Sequence, residues 1–148
     1  MGWWSETILG GDTPLDFLPD LEGALDVKEL YPVRGWTNEV REAVQKAFAW
    51  NWKPILRMIE AEWGEGDYNN IAIQVTAVIA MAAGAEFPEG FEEKAIKAAD
   101  QDEWANEDDG PRRRVMTDFK KMLETYESGT PSEAEEKGLF EKIAEVLG

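Results

Sequence analysis

The chain of 148 residues contains no cysteine and no histidine. Without cysteine there are no disulfides, no thiolate metal ligands and no thiol nucleophile. Without histidine the usual general base near neutral pH is missing, and with it the usual transition-metal ligand and every Ser-His or Cys-His pair. Chemistry would have to rest on carboxylates, Lys, Tyr or a carboxylate-held hard cation. Basic residues are also scarce, 15 against 31 acidic, for a formal net charge of -16. Such a surface repels nucleic-acid phosphate and anionic membranes over most of its area, so direct nucleic-acid binding and membrane association are not expected. The start from Met1 to Leu9 has neither a basic opening nor a long apolar stretch. A cytoplasmic protein is the expectation. Met1-Gly2 is followed by Glu6 where a myristoylation signal needs Ser or Thr.

What is present argues for a folded protein. Apolar residues make up 43% of the chain and include seven tryptophans, unlike a disordered acidic tail. One domain over 1–148 of this size buries roughly 70% of the surface of its unfolded chain. Its centre is Ile71–Ala83, IAIQVTAVIAMAA, where Gln74 and Thr76 are the only polar side chains. The run is too long for one strand and shorter than the roughly 20 residues that cross a bilayer. It predicts a buried central helix over about 69–84, with Asp67, Asn69 or Asn70 as cap and Gly84 as the C-terminal glycine.

The remaining pattern predicts an all-α, irregular helical bundle around that helix, led by a short extended arm at Trp3 and Trp4. Thr13 and Pro14 start a helix with Leu15, Leu18, Leu21 and Leu25 inward and a kink or restart at Pro19. Thr37 caps the next, with Val40, Val44, Ala47 and Phe48 inward, a break or kink at Asn51 and Pro54, then Ile55, Met58, Ile59 and Trp63. Pro88 opens a helix to Ala99. Pro111 opens another to about Glu127, with Val115, Phe119, Met122, Leu123 and Tyr126 inward and Arg112, Arg113 and Arg114 outward. Residues 128–131 form a linker to a last helix over 132–147, capped by Ser132 and Glu135, whose Leu139, Ile143 and Val146 face packs on the chain itself or on a neighbour.

Charge is placed unevenly. Residues 67–110 hold eleven acidic and two basic side chains, whereas 111–148 hold eight and seven. Glu92, Glu93, Asp100, Asp102, Glu103, Glu107, Asp108 and Asp109, with Trp104 as an apolar anchor, are the candidate partner-binding residues. The competing reading is a solvated loop neutralised by the three arginines. A calcium loop fails because Trp104 and Ala105 stand where a ligand and a glycine belong. The pairs Glu39/Glu42, Glu62/Glu65 and Glu89/Glu92 lack the second-helix follower of a magnesium-binding pyrophosphatase. Asp12, Asp16 and Asp20 fall four apart, a spacing that helix-start charge explains. No phosphate-cradling glycine motif occurs, and no catalytic residue, metal or cofactor is assigned. Most tryptophans read as core or core-rim residues.

At MGWW and GGDTPLD the sequence resembles a group of short bacterial and phage proteins, the domain-of-unknown-function family 4259. Met1, Gly2, Trp4, Asp12, Leu15 and Asp16 match its opening, Pro14 replaces an alanine, and AVIAMAAGAEFPEG from Ala77 fits its later pattern. The form is most similar to phage-encoded members. The resemblance implies an α-helical fold and a lineage, with no activity attached. Together these readings predict an acidic protein-binding module that occupies a basic surface of a host protein, such as one that normally holds DNA, by presenting carboxylates in place of phosphate. The alternatives are a small enzyme using carboxylates and a divalent cation, and a helical accessory subunit.

Overall fold

The computed structural model describes residues 12–28, 30, 36–102, 105–106 and 111–128. The expected N-terminal arm, the 128–131 linker beyond Ser128 and the last helix lie outside them. Among the described residues five helices follow one another: α1 Asp12–Leu25, α2 Asn38–Glu62, α3 Gly66–Ala83, α4 Phe91–Asp100 and α5 Pro111–Thr125. Among the described residues there is no strand, and no helix is long and apolar enough to cross a membrane.

Helix α3 is the axis of the bundle, as its composition requires. Every residue from Asn70 to Ala83 is buried, with α1, α2 and α4 packed around it and α5 packed on α4. A helix apolar on all sides has no face to offer water, and its alanines let the neighbouring backbones approach. The two polar side chains between Ile71 and Ala83 are both satisfied. Thr76 Oγ1 donates to the Ala72 carbonyl at 2.8 Å, and Gln74 is held by the buried cluster described below. Gly84 ends the helix at φ 74°, in the left-handed region, its N–H donating to the carbonyls of Ala80 and Met81. Two side chains of α2 then cover the freed carbonyls of this end: Arg41 Nε donates to Ala82 O at 3.1 Å and Gln45 Nε2 to Gly84 O at 2.9 Å. A cation at a helix C-terminus is favoured by the dipole, and Arg41 is buried there.

Several local expectations are corrected. The start of α3 lies at Gly66, so Asp67, Asn69 and Asn70 are inside the helix, and Glu65 at the cap makes no side-chain bond. Helix α1 begins at Asp12 and α4 at Phe91, behind the turn at Pro88. Val40 faces outward, while Phe17, not counted as inward, is fully buried. Thr37 caps α2 as expected, accepting from Val40 N. Neither Pro19 nor Pro54 breaks its helix. Both prolines are exposed, so the carbonyl that each leaves without an N–H donor lies on the water side. The buried stripes continue across them, Leu18 to Leu21 in α1 and Phe48 to Ile55 in α2. Burial of such side chains, about 1.5–3 kcal/mol each, outweighs the roughly 3 kcal/mol cost of an interior proline.

Aromatic rings tie the outer helices together. Trp52 packs on Phe48 and Phe91 at centroid distances of 4.9 and 4.7 Å, and Phe87 bridges Phe91 and Tyr126 at 5.1 and 5.0 Å. Trp52 Nε1 donates to Glu86 O at 2.9 Å, and the Tyr126 hydroxyl donates to Ala85 O at 2.5 Å. Burial pushes the Tyr126 phenol well above its ordinary range, against the lowering effect of the Arg41 charge.

Candidate protein-binding surface

Four of the acidic segment's candidate residues, Glu92, Glu93, Asp100 and Asp102, are described. Glu92 and Glu93 occupy the first turn of α4, half-buried and exposed, where negative charge complements the dipole. Asp100 is exposed and accepts from Lys120 Nζ at 2.8 Å. Glu103, Trp104, Glu107, Asp108 and Asp109 lie outside the described residues.

Asp102 is a correction, since its carboxylate is fully buried. Oδ1 accepts from Ala105 N at 2.8 Å and from Arg112 Nε at 3.3 Å, while Oδ2 accepts from Arg112 Nη2 at 2.7 Å and Gln74 Nε2 at 3.0 Å. Arg112 Nη2 donates in turn to Gln74 Oε1 at 2.9 Å. Desolvation raises the Asp102 pKa, but the Arg112 hydrogen bonds and charge, with the Gln74 and Ala105 donors, together hold it below the usual carboxylate value. Arg112, expected outward, is likewise 1% exposed. The first arginine of the triplet thus serves the interior, and Arg113 spends its guanidinium on the Ala105 carbonyl at 3.2 Å.

A different acidic surface is assembled at the corner between α2 and α3. Glu60, Ala61, Glu62, Trp63, Gly64, Glu65 and Tyr68 line an open cleft of about 580 Å³. It meets a smaller recess of about 280 Å³ at Glu60 and Gly64, which Leu56, Ile59, Asn69, Ile73 and Lys94 also line. Local chain geometry builds this corner. Trp63 N closes the last turn of α2 on Ile59 O at 2.8 Å, and the Asn69 amide donates to Trp63 O at 3.0 Å. Gly64 sits so close to the end of α2 that a Cβ there would lie 2.4 Å from Glu60 O.

The Trp63 ring is fixed from behind and offered in front. Its Nε1 donates to Asp20 Oδ2 at 2.8 Å, and its edge meets Phe17 at 5.2 Å and 84°. Tyr68, 58% exposed, stands 6.4 Å away across the cleft. Aromatic faces beside the exposed carboxylates of Glu60, Glu62 and Glu65 suit an ammonium or guanidinium group, which the ring quadrupole and the carboxylates attract together. Among the described residues no three carboxylates converge closely enough to hold a metal ion. The sequence does carry a signal for this corner: residues 60–68 contain four acidic side chains, two aromatics and no base. Read alone, Glu62 and Glu65 are only an incomplete metal motif and Trp63 is a core residue. Asp20 shows no link to Trp63 because α1 and α2 meet only in the fold.

No protein-family model, no curated protein and no solved structure matches the chain.

Proposed function

We propose that this protein is a binding module that captures a basic segment of another protein, with the cleft between Glu60 and Tyr68 as its contact site. The supporting observation is the pairing of exposed carboxylates with the fixed Trp63 ring and the exposed Tyr68 ring in one cleft. Such a site takes a lysine or arginine side chain by charge and by cation–π contact at once, an exposed ion pair being worth about 0.2–1 kcal/mol and the ring contact about 0.5–1 kcal/mol. The recess next to it, where Leu56 stands among Glu60, Asn69 and Lys94, accepts a neighbouring side chain of the same segment. A partner surface built to receive phosphate would meet carboxylates here instead, which keeps the imitation of DNA charge as one form of this function.

The test is fluorescence anisotropy with a labelled nine-residue peptide of alternating Arg and Leu, at about 50 and 150 mM salt. Binding should be saturable and weaker at the higher salt. Glu62→Gln/Glu65→Gln and Tyr68→Ala should each weaken it about tenfold, whereas Glu93→Gln on α4 should leave it unchanged. Equal affinity in the Glu62/Glu65 double variant and the wild type would remove the cleft from the function.

A further inference from the structure

The outward face of α2 between residues 43 and 59 is cationic in a chain that is acidic overall. Ala43, Lys46, Trp50, Lys53, Pro54 and Arg57 are all exposed, and helical spacing brings them onto one side. Between residues 43 and 59 there are three cations and no acid, in a chain of net charge -16. None of the three cations is held in an ion pair among the described residues. Trp50 lies in their midst at 85% exposure, so its indole contributes almost nothing to the core. Ala43 and Pro54 flank it and leave room for a second backbone. A central aromatic with small neighbours and a charged rim is the anatomy of a contact surface.

We propose that this face docks an acidic amphipathic helix of a partner protein, independently of the cleft. Apolar residues of the incoming helix at i, i+3 or i+4 and i+7 would cover Trp50, Ala43 and Pro54, while its flanking carboxylates meet Lys46, Lys53 and Arg57. The stripe from Ala43 to Arg57 is about 21 Å long, which matches a partner helix of about 14 residues. Charge complementarity selects the occupant. A helix of that length touches the cationic stripe alone, whereas a membrane or a nucleic-acid duplex extends far enough to meet the exposed Glu39, Glu42 and Glu60 at its two ends. Charges beyond about 8 Å are largely screened at physiological salt, so a local patch of this kind acts in spite of the net charge.

The absence of native cysteine gives a clean probe. Ala49→Cys, exposed at the edge of the stripe, takes an environment-sensitive dye at one position only in the full chain. The ligand is a 15-residue model peptide with leucine at positions i, i+3, i+4 and i+7 and glutamate elsewhere on its flanks. Saturable binding with a Kd on the order of 10 µM is expected. Trp50→Ser should weaken it about tenfold and Lys46→Gln/Lys53→Gln/Arg57→Gln more than tenfold, with far-UV helicity unchanged because all four side chains are on the water side. A peptide with serine for leucine should bind at least tenfold less tightly. Equal binding of the serine and leucine peptides, or of wild type and Trp50→Ser, would overturn the proposal. So would a dye signal that depends on protein concentration alone, which would mark a second copy as occupant, or tighter binding to phosphatidylserine vesicles than to the peptide.

Discussion

Arg112 and Asp102 meet ten residues apart in sequence as a two-bond pair in the interior, Nη2 to Oδ2 at 2.7 Å and Nε to Oδ1 at 3.3 Å. Gln74, from the middle of α3, bonds to both partners. The cluster therefore pins the start of α5, the end of the α4 turn and the central helix to one another. A buried ion pair of this kind adds little net stability relative to well-packed apolar groups, because both charges lose their hydration. Its effect is on specificity: only one placement of α5 satisfies all three side chains.

Removing one partner should therefore cost far more than removing both. Asp102→Ala leaves a guanidinium buried without its counter-charge and should destabilise by about 3–5 kcal/mol. Asp102→Ala combined with Arg112→Met should recover a substantial part of that loss. Urea denaturation of the single and double variants measures it, and a double variant no more stable than the single one would refute the account.

The same pair sets an acid dependence. The Asp102 pKa is lowered in the folded state from its ordinary 3.8. As pH falls, the unfolded chain takes up this proton before the folded protein does. The stabilisation is therefore complete above the unfolded value and is lost as pH drops through it toward the folded one. Between pH of about 5 and 3, wild-type stability should fall more steeply than that of Asp102→Asn, by up to about 1.4 kcal/mol per pH unit. Parallel slopes in the two proteins would show that Asp102 titrates alike in both states.

Gly64 should not tolerate a side chain. Its Cβ position lies 2.4 Å from the Glu60 carbonyl oxygen, which belongs to helix backbone and cannot swing away. Gly64→Ala should cost about 1–3 kcal/mol, as overpacking does, and displace Trp63. Thermal unfolding reads the first effect. Loss of the near-ultraviolet signal of Trp63 reads the second, and an unchanged melting temperature would mean that the corner yields easily.

Much of the architecture was legible in residue order. The apolar run at Ile71–Ala83 determined a buried helix by itself, because no other local structure hides thirteen such residues. Thr37 and Gly84 marked helix ends through their own short-range chemistry, and the alternation of apolar and charged positions oriented α4 and most of α5. At Pro19 and Pro54 local preference allowed a break or a kink, and both helices run through unbroken because packing of the flanking turns outweighs the lost backbone hydrogen bond.

Residue order determined which side chains share a helical face, since that depends on spacing alone. It did not determine which charges remain outside. Arg112 and Arg113 are neighbours of equal charge, yet the first is 1% exposed and the second exposed. Asp102, counted from sequence among the outward carboxylates, lies against Gln74, 28 residues earlier. Trp63 gained its rigid place from Asp20, 43 residues before it. Those outcomes belong to the tertiary structure because a charge can be buried only where partners converge from several elements at once, and convergence in space has no counterpart in the local pattern.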